Sequence, residues 1–205
     1  MDCEESFSRT HHMARPREFD SDDALQASVD LFWEKGYHAT SITDLTEAMG
    51  VLRGSLYKAF GDKHTLFIKS LKAYSDQLLE GMRKNLESGK PVEALNRTLD
   101  IVVGTAHGKA ARKGCMIANS ALELVPEDPV TAVCINKHYD AMEGLLARAL
   151  EKARTDGKLK TEISPTEAAQ AILVWIQGTH TIGKTKAGKV RAANSLAQLK
   201  KTLNI

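Results

Sequence analysis

The 205-residue chain has little of what several protein classes require. Its three cysteines, Cys3, Cys115 and Cys134, are too few for a disulfide framework and match no zinc-binding spacing. The longest apolar run, 171–176, is far shorter than the roughly 18 residues of a membrane span. No glycine-rich phosphate loop, metal-ligand spacing or nucleophile–base set appears. We therefore expect no metal, cofactor, membrane insertion or enzymatic activity, and a location in the reducing cytoplasm.

The pattern of apolar residues favours helices throughout. Strand signals are scarce, whereas apolar positions recur at spacings of three and four over long segments. The sequence predicts an all-α protein of about nine helices, with three short helices followed by a bundle of longer ones. We divide it into a flexible arm (1–19), a helix-turn-helix DNA-binding domain (20–64) and a domain for ligand binding and dimerisation (65–205).

Capping residues predict where the helices begin and end. Asp20 or Ser21 caps the first helix, which ends at Gly36, and Ser41 caps the second, which stops at Gly50. The inner positions of these two helices are Leu25, Ser28, Val29, Phe32, Ile42, Leu45, Ala48 and Met49. The third helix is expected at 52–60, and later helices at 63–88, 91–108, 115–125 after a loop at 111–114, 129–156, 165–183 and 189–203.

The third helix has the properties of a recognition helix. Val51, Leu56 and Phe60 point toward the core of the small domain, which leaves the opposite face outward. The outward residues are Arg53, Gly54, Tyr57 and Lys58. Because a recognition helix presents its first side chains to base edges, Arg53 is the candidate for a bidentate guanine contact. Glycine at position 54 allows the backbone to approach the duplex.

Total charge does not support a DNA-binding function. Residues 1–64 contain 7 Lys and Arg against 12 Asp and Glu, whereas the rest of the chain contains 21 against 14. The prediction therefore depends on local geometry, in which a few cations, hydroxyls and helix N-termini meet phosphates.

The motifs of residues 21–66 resemble those of the TetR family of repressors. The matching residues are Phe32 to Tyr37, Thr40-Ser41, Gly50-Val51, Gly54-Ser55, Tyr57, Phe60 and Lys63. The resemblance implies a homodimer on a near-palindromic operator and a ligand pocket in the helical C-terminal domain. Three residues depart from the family pattern. Leu52 replaces a capping Ser or Thr, Ala59 replaces a phosphate-contacting residue, and Asp62 replaces a Ser or Asn.

We expect DNA contacts from the second and third helices, the start of the fourth helix, and the arm. The predicted residues are Thr40, Ser41, Thr43, Leu52, Arg53, Gly54, Ser55, Tyr57, Lys58, Lys63, Arg15 and Arg17. For the two arm arginines, a solvated tail is an equally good interpretation as a minor-groove contact.

Two features of the C-terminal domain suggest regulation. Cys115 opens a predicted helix beside Arg112 and Lys113, where a thiolate sensor and a small buried residue are both open interpretations. A small-molecule pocket is predicted from polar-tipped or aromatic residues that separately could be core groups. These residues are His107, Cys115, Asn119, Tyr139, Trp175 and Gln177.

On the last two helices, the apolar run 171–176 and the stripe Leu196, Leu199 and Leu203 have the pattern of core residues, and an interface between copies is the second interpretation. Such helices suit a four-helix interface between two copies of the chain. The predicted function is a repressor that binds double-stranded operator DNA as a dimer and is released by a small-molecule or thiol-reactive effector. The alternative is a helical binding module without DNA-binding activity.

Overall fold

The computed structural model describes residues 20–106, 108–159 and 162–205, and every regular element in these ranges is an α-helix. In chain order the helices are α1 (Ser21–Lys35), α2 (Ile42–Met49), α3 (Arg53–Phe60), α4 (Lys63–Glu87), α5 (Pro91–Thr105), α6 (Gly108–Lys113), α7 (Met116–Leu124), α8 (Pro129–Thr155), α9 (Pro165–Ile182) and α10 (Gly188–Leu203). The predicted all-α fold is confirmed. None of these helices is long and apolar enough to cross a membrane.

Helix caps are the best-predicted local feature. The Asp20 carboxylate accepts hydrogen bonds from two backbone N–H groups at the start of α1. Ser41 forms a reciprocal capping box with Asp44 at the start of α2. Gly36 and Gly50, which follow α1 and α2, have φ angles of 83° and 64°. These positive φ values favour glycine and end the two helices where the sequence predicts.

The segment between α5 and α7 is the main error in the predicted helix boundaries. Helix α5 ends at Thr105 rather than near 108, and residues 111–113, expected as a loop, belong to the short helix α6. Gly108 and Gly114, at the two ends of this turn, have positive φ angles of 71° and 66°. Burial of Ala111 gives the turn a packing role that its basic composition did not indicate.

Two apolar clusters form the core, and α4 contributes to both. One cluster joins α1–α3 and the beginning of α4 to α7, through residues such as Phe32, Phe67 and Ile117. The other joins the end of α4 to α5, α8, α9 and α10. The predicted core position of Ala48 is wrong, because Ala48 is exposed. Leu25, Ile42 and Val51 are partly buried and pack against the first cluster.

Candidate DNA-binding surface and effector site

Helix α3 is anchored by two side chains and exposes the opposite face. Leu56 and Phe60, one turn apart, are buried in the cluster formed with α1, α2 and α4. The outward residues Arg53, Gly54, Tyr57 and Lys58 are all exposed, as the sequence predicts. Among the described residues nothing covers this face of α3, which has the size and kind of surface that enters a major groove.

Arg53 and Tyr57 form a pair on this exposed face. The guanidinium carbon of Arg53 lies 5.7 Å from the centroid of the Tyr57 ring. The Arg53 Nη2 donor lies 3.5 Å from the Tyr57 hydroxyl, at the weak end of the hydrogen-bond range. The contact directs the Arg53 side chain along the outer face of α3, where its donors stay available.

Gly54 has no structural need for its small size. A Cβ atom built at this position would meet nothing within 4 Å, and Gly54 is absent from the positive-φ glycines of the described chain. Space within the protein therefore does not explain the glycine. Close approach to a partner remains the reason that the sequence suggests.

Leu52 begins α3 without capping it. No side-chain hydrogen bond is formed at this N-cap position, and the Leu52 side chain is 80% exposed. An apolar side chain this exposed gains nothing from the fold. Contact with a thymine methyl would remove it from water.

The N-terminus of α2 differs from the expected phosphate site. The predicted phosphate contact of the Thr40 hydroxyl is corrected, because Thr40 is buried and its hydroxyl donates to the Gly36 carbonyl oxygen over 2.6 Å. The Ser41 hydroxyl is engaged with Asp44, whose carboxylate also contacts the Lys35 ammonium at 2.8 Å. These contacts hold the pKa of Asp44 well below its usual range. Sequence reasoning missed this negative charge; Thr43 is exposed beside it.

The start of α4 is occupied by structural contacts. The Lys63 ammonium lies 4.4 Å from the centroid of the Tyr37 ring, and burial lowers the pKa of Lys63. Asp62 caps α4 by accepting a hydrogen bond from the Thr65 N–H at 2.7 Å, which explains an acidic residue at this position. Ser55 is half-buried and Ala59 is exposed. Arg15, Arg17 and His107 lie outside the described residues.

The described residues of the predicted pocket do not share one cavity, although two of them, Tyr139 and Gln177, line the same groove. Trp175 packs between α9 and α10, where its indole N–H donates to the Ser195 hydroxyl over 2.8 Å. Gln177 lies with Tyr139 in a different groove, bordered by α7, α8 and α9. Residues two positions apart in a helix are separated by about 200° around its axis, so Trp175 and Gln177 face opposite sides of α9. The side-chain amide of Asn119 instead donates to the Lys113 carbonyl oxygen and accepts a hydrogen bond from the Lys184 ammonium.

A cavity of about 300 Å³ lies elsewhere, between α1, α4, α5 and α9. Helix α4 supplies one wall through Tyr74, Gln77, Leu78, Gly81, Met82 and Asn85. Trp33 of α1, His180 of α9 and Gly114 complete its surroundings together with α5. In the sequence, the signal for this cavity is the set Gln77, Gly81 and Asn85, which are polar or small residues spaced four apart on α4.

Cys115 lies beside this cavity but is covered. It is 2% exposed, and burial raises the pKa of its thiol. Of the two interpretations left open by the sequence, this burial favours a small packing residue over a resting thiolate. Backbone N–H groups at the start of α7, the Tyr74 hydroxyl and the nearby Lys184 charge act in the opposite direction and lower the thiol pKa.

Two carboxylates connect the N-terminal helices to the rest of the molecule. Glu123, near the end of α7, accepts hydrogen bonds from the backbone N–H groups of Tyr37 and His38 at 3.0 and 2.7 Å. Asp128, the cap of α8, contacts the His64 ring at 2.6 Å. The turn between α1 and α2 is thus fixed to α7, and the start of α4 to α8.

Removing the Glu123 carboxylate is expected to loosen this connection. In Glu123→Ala the free energy of unfolding should fall by about 2 kcal/mol, because two N–H groups lose a charged acceptor. Chemical denaturation measures the loss, and hydrogen exchange at Tyr37 and His38 should accelerate. Glu127→Ala, on the exposed loop after α7, is the control; equal stability of the two variants would contradict the assignment.

Comparisons with known proteins place this architecture among helix-turn-helix regulators. Residues 24–69 match the family described as bacterial regulatory proteins, tetR family, and residues 91–199 match the tetracyclin repressor-like C-terminal domain. The uncharacterised regulator YezE of Bacillus subtilis is 32% identical over 151 residues, covering 73% of this chain and 78% of YezE. The repressor ComR of Escherichia coli is 30% identical over 166 residues, covering 80% and 79%.

Solved structures agree with this fold. Reduced NemR of E. coli superposes with a TM-score of 0.81 at 18% identity, covering 89% of this chain and 96% of NemR. A cysteine mutant of the regulator CifR, in complex with a 26-base-pair operator, superposes with a TM-score of 0.78 at 28% identity, covering 93% and 98%. The molecule is thus a helix-turn-helix transcription regulator and not an enzyme. The chain belongs to the TetR family.

Proposed function

We propose that this protein is a repressor that binds a near-palindromic operator as a homodimer and leaves it when an effector binds. The carrying observation is the exposure of Arg53, Gly54, Tyr57 and Lys58 on a helix anchored by Leu56 and Phe60. ComR, by name a repressor, and CifR, solved on operator DNA, support the proposal. The proposed location is the cytoplasm.

The proposed dimer forms through α9 and α10. Each helix has an exposed stripe of small or apolar residues at spacings of three and four. The residues are Ala171, Val174 and Gly178 on α9, and Val190, Ala193 and Ala197 on α10. Pairing these stripes with a second copy would form a four-helix interface. For operator binding, the dimer must hold its two α3 helices about 34–36 Å apart, because this is the spacing of successive major grooves.

The experiment that tests this proposal is selection of bound duplexes from a random DNA pool. We expect enrichment of an inverted repeat, with affinity that falls steeply as salt increases because phosphate contacts release counterions. A helical binding module without DNA activity would enrich no sequence and show no salt-dependent shift in a gel. That outcome would refute the proposal.

The proposed effector acts either in the cavity or at the neighbouring thiol of Cys115. If an oxidant acts at the thiol, Cys115→Ser abolishes release of operator by hydrogen peroxide, whereas Cys134→Ser, a half-buried control on α8, retains it. We expect this loss because Cys115 directly follows Gly114 of the cavity lining, although burial raises the pKa of its thiol. Unchanged release in Cys115→Ser would leave Cys115 a packing residue.

A further inference from the structure

The cavity beside Cys115 has the dimensions of a small ring system. Its volume of about 300 Å³ lies at the lower end of small-molecule sites. It is roughly twice the ~150 Å³ apolar cavity that holds benzene in an engineered protein. One or two fused rings would therefore fill it.

The walls of the cavity favour an uncharged occupant. None of the described side chains that line it belongs to Asp, Glu, Lys or Arg. Burial lowers the pKa of His180, the imidazole in the lining, which favours its neutral form. The nearest cations lie outside the lining and have partners of their own: Lys113, 5.2 Å from the Trp33 ring centroid, pairs with Glu34, and Lys184, beside Gly114, donates to Asn119. A charged molecule entering the cavity would therefore lose hydration without gaining a partner of opposite charge in the lining. The aromatic rings of Trp33 and Tyr74 instead suit stacking or edge contacts with another ring.

One wall of the cavity belongs to the DNA-binding domain. Trp33 lies on α1, its ring centroid is 5.2 Å from that of Tyr74, and its indole N–H donates to the Gly114 carbonyl oxygen over 2.9 Å. A second contact between α1 and α4 lies nearby, where the Gln77 amide donates to the Gln26 side chain over 2.8 Å. The cavity is thus enclosed partly by α1, the helix that precedes α2 and α3 in the DNA-binding domain.

We propose that this cavity takes a small uncharged aromatic molecule of one or two rings, and that its occupant bears directly on Trp33. The second half rests on the proposed function, in which an effector controls release of DNA. An occupant changes DNA affinity only if it prefers one position of α1 over another. Trp33 is the described residue of α1 that lines the cavity. An occupant that displaces the Trp33 ring therefore acts on α1 directly, with no other helix transmitting the change to the DNA-binding domain.

The test uses Trp33 as its own reporter. The chain contains two tryptophans, so Trp175→Phe leaves Trp33 alone. Fluorescence of this variant is titrated with nitrobenzene, an uncharged aromatic quencher, and with 4-nitrobenzoate, its charged counterpart. We expect saturable quenching by nitrobenzene and about tenfold or weaker binding of the carboxylate, because its charge has no partner in the cavity. Linear, non-saturating quenching that is the same for both compounds would overturn the proposal.

A filled cavity supplies the matched control. Gly81 lies in the α4 wall and Gly104 on α5 outside the lining, and a Cβ at either position meets nothing within 4 Å. In the Trp175→Phe background, Gly81→Leu should weaken nitrobenzene binding about tenfold, whereas Gly104→Leu should leave it unchanged, since only the first occupies ligand space. Equal affinity in the two variants would place the probe elsewhere.

Coupling to DNA is measured on the same sample. Because linkage is reciprocal, a selected operator should lower nitrobenzene affinity severalfold, by the same factor as nitrobenzene lowers operator affinity. Saturable binding that operator does not change would overturn the role of Trp33 but leave the site. Saturable binding by a protein that selects no operator would refute the proposed function and leave the cavity assignment standing.

Discussion

Operator affinity is expected to fall by about a hundredfold or more in Arg53→Ala, because a bidentate base contact contributes about 1–3 kcal/mol and a dimer loses it twice. Tyr57→Ala should fall by a similar factor, since it removes both a contact at the sugar–phosphate surface and the ring that directs the Arg53 guanidinium from 5.7 Å. Fluorescence anisotropy with a selected operator measures both variants at one fixed salt concentration.

Neither substitution removes a buried group, so the fold should persist. Tyr57 is 40% exposed, and Arg53 is exposed beside it. Circular dichroism should therefore show unchanged helicity in both variants. Arg154→Ala, on an exposed turn of α8, removes the same charge far along the chain and should bind operator normally. If Arg53→Ala and Tyr57→Ala also bound normally, α3 would not be the recognition helix.

Val174→Asp is expected to produce a monomer that has lost most of its affinity for operator. Val174 is 71% exposed in a single chain, yet it lies in the small apolar stripe of α9. In the proposed dimer an aspartate would bury a carboxylate without a partner, at a cost of several kcal/mol. Loss of pairing also removes the gain of linking two half-sites, which is about a hundredfold or more.

Val133→Asp is the matched control for this change. Val133 is 55% exposed and belongs to α8, outside the proposed interface. Analytical ultracentrifugation at micromolar concentration should find a monomer for Val174→Asp and a dimer for Val133→Asp. A dimeric Val174→Asp that still binds operator would move the interface away from this part of α9.

The sequence was most informative where a local rule determines the structure. Helix starts at Asp20 and Ser41 and helix ends at Gly36 and Gly50 depend on side-chain caps and positive φ angles, which neighbouring residues specify. The outward face of α3 followed from the same reasoning, because eight residues with two apolar anchors leave one possible inner side. The family motif added the fold of the remainder.

Prediction was less successful for side chains whose partners lie outside their own helix. Trp33 and Gly114 are 81 residues apart in sequence but share a hydrogen bond, which periodicity within one helix cannot indicate. The hydroxyl of Thr40 was expected to contact a DNA phosphate, although it donates to the Gly36 carbonyl oxygen in the turn before α2. Trp175 and Gln177 were grouped by residue type, whereas their angular separation on α9 puts them in different environments.

The apolar cluster shared by α1–α3, α4 and α7 has a consequence for recombination among relatives. Residues 20–64 do not form a complete core by themselves, because Phe67 and Ile117, outside that range, belong to the same apolar cluster. A chimera that grafts only those residues onto another effector domain would bring together apolar surfaces shaped for different partners. To exchange DNA specificity, the beginning of α4 and the α7 segment must therefore be transferred together with α1–α3. The other route is to confine the substitutions to the outer face of α3.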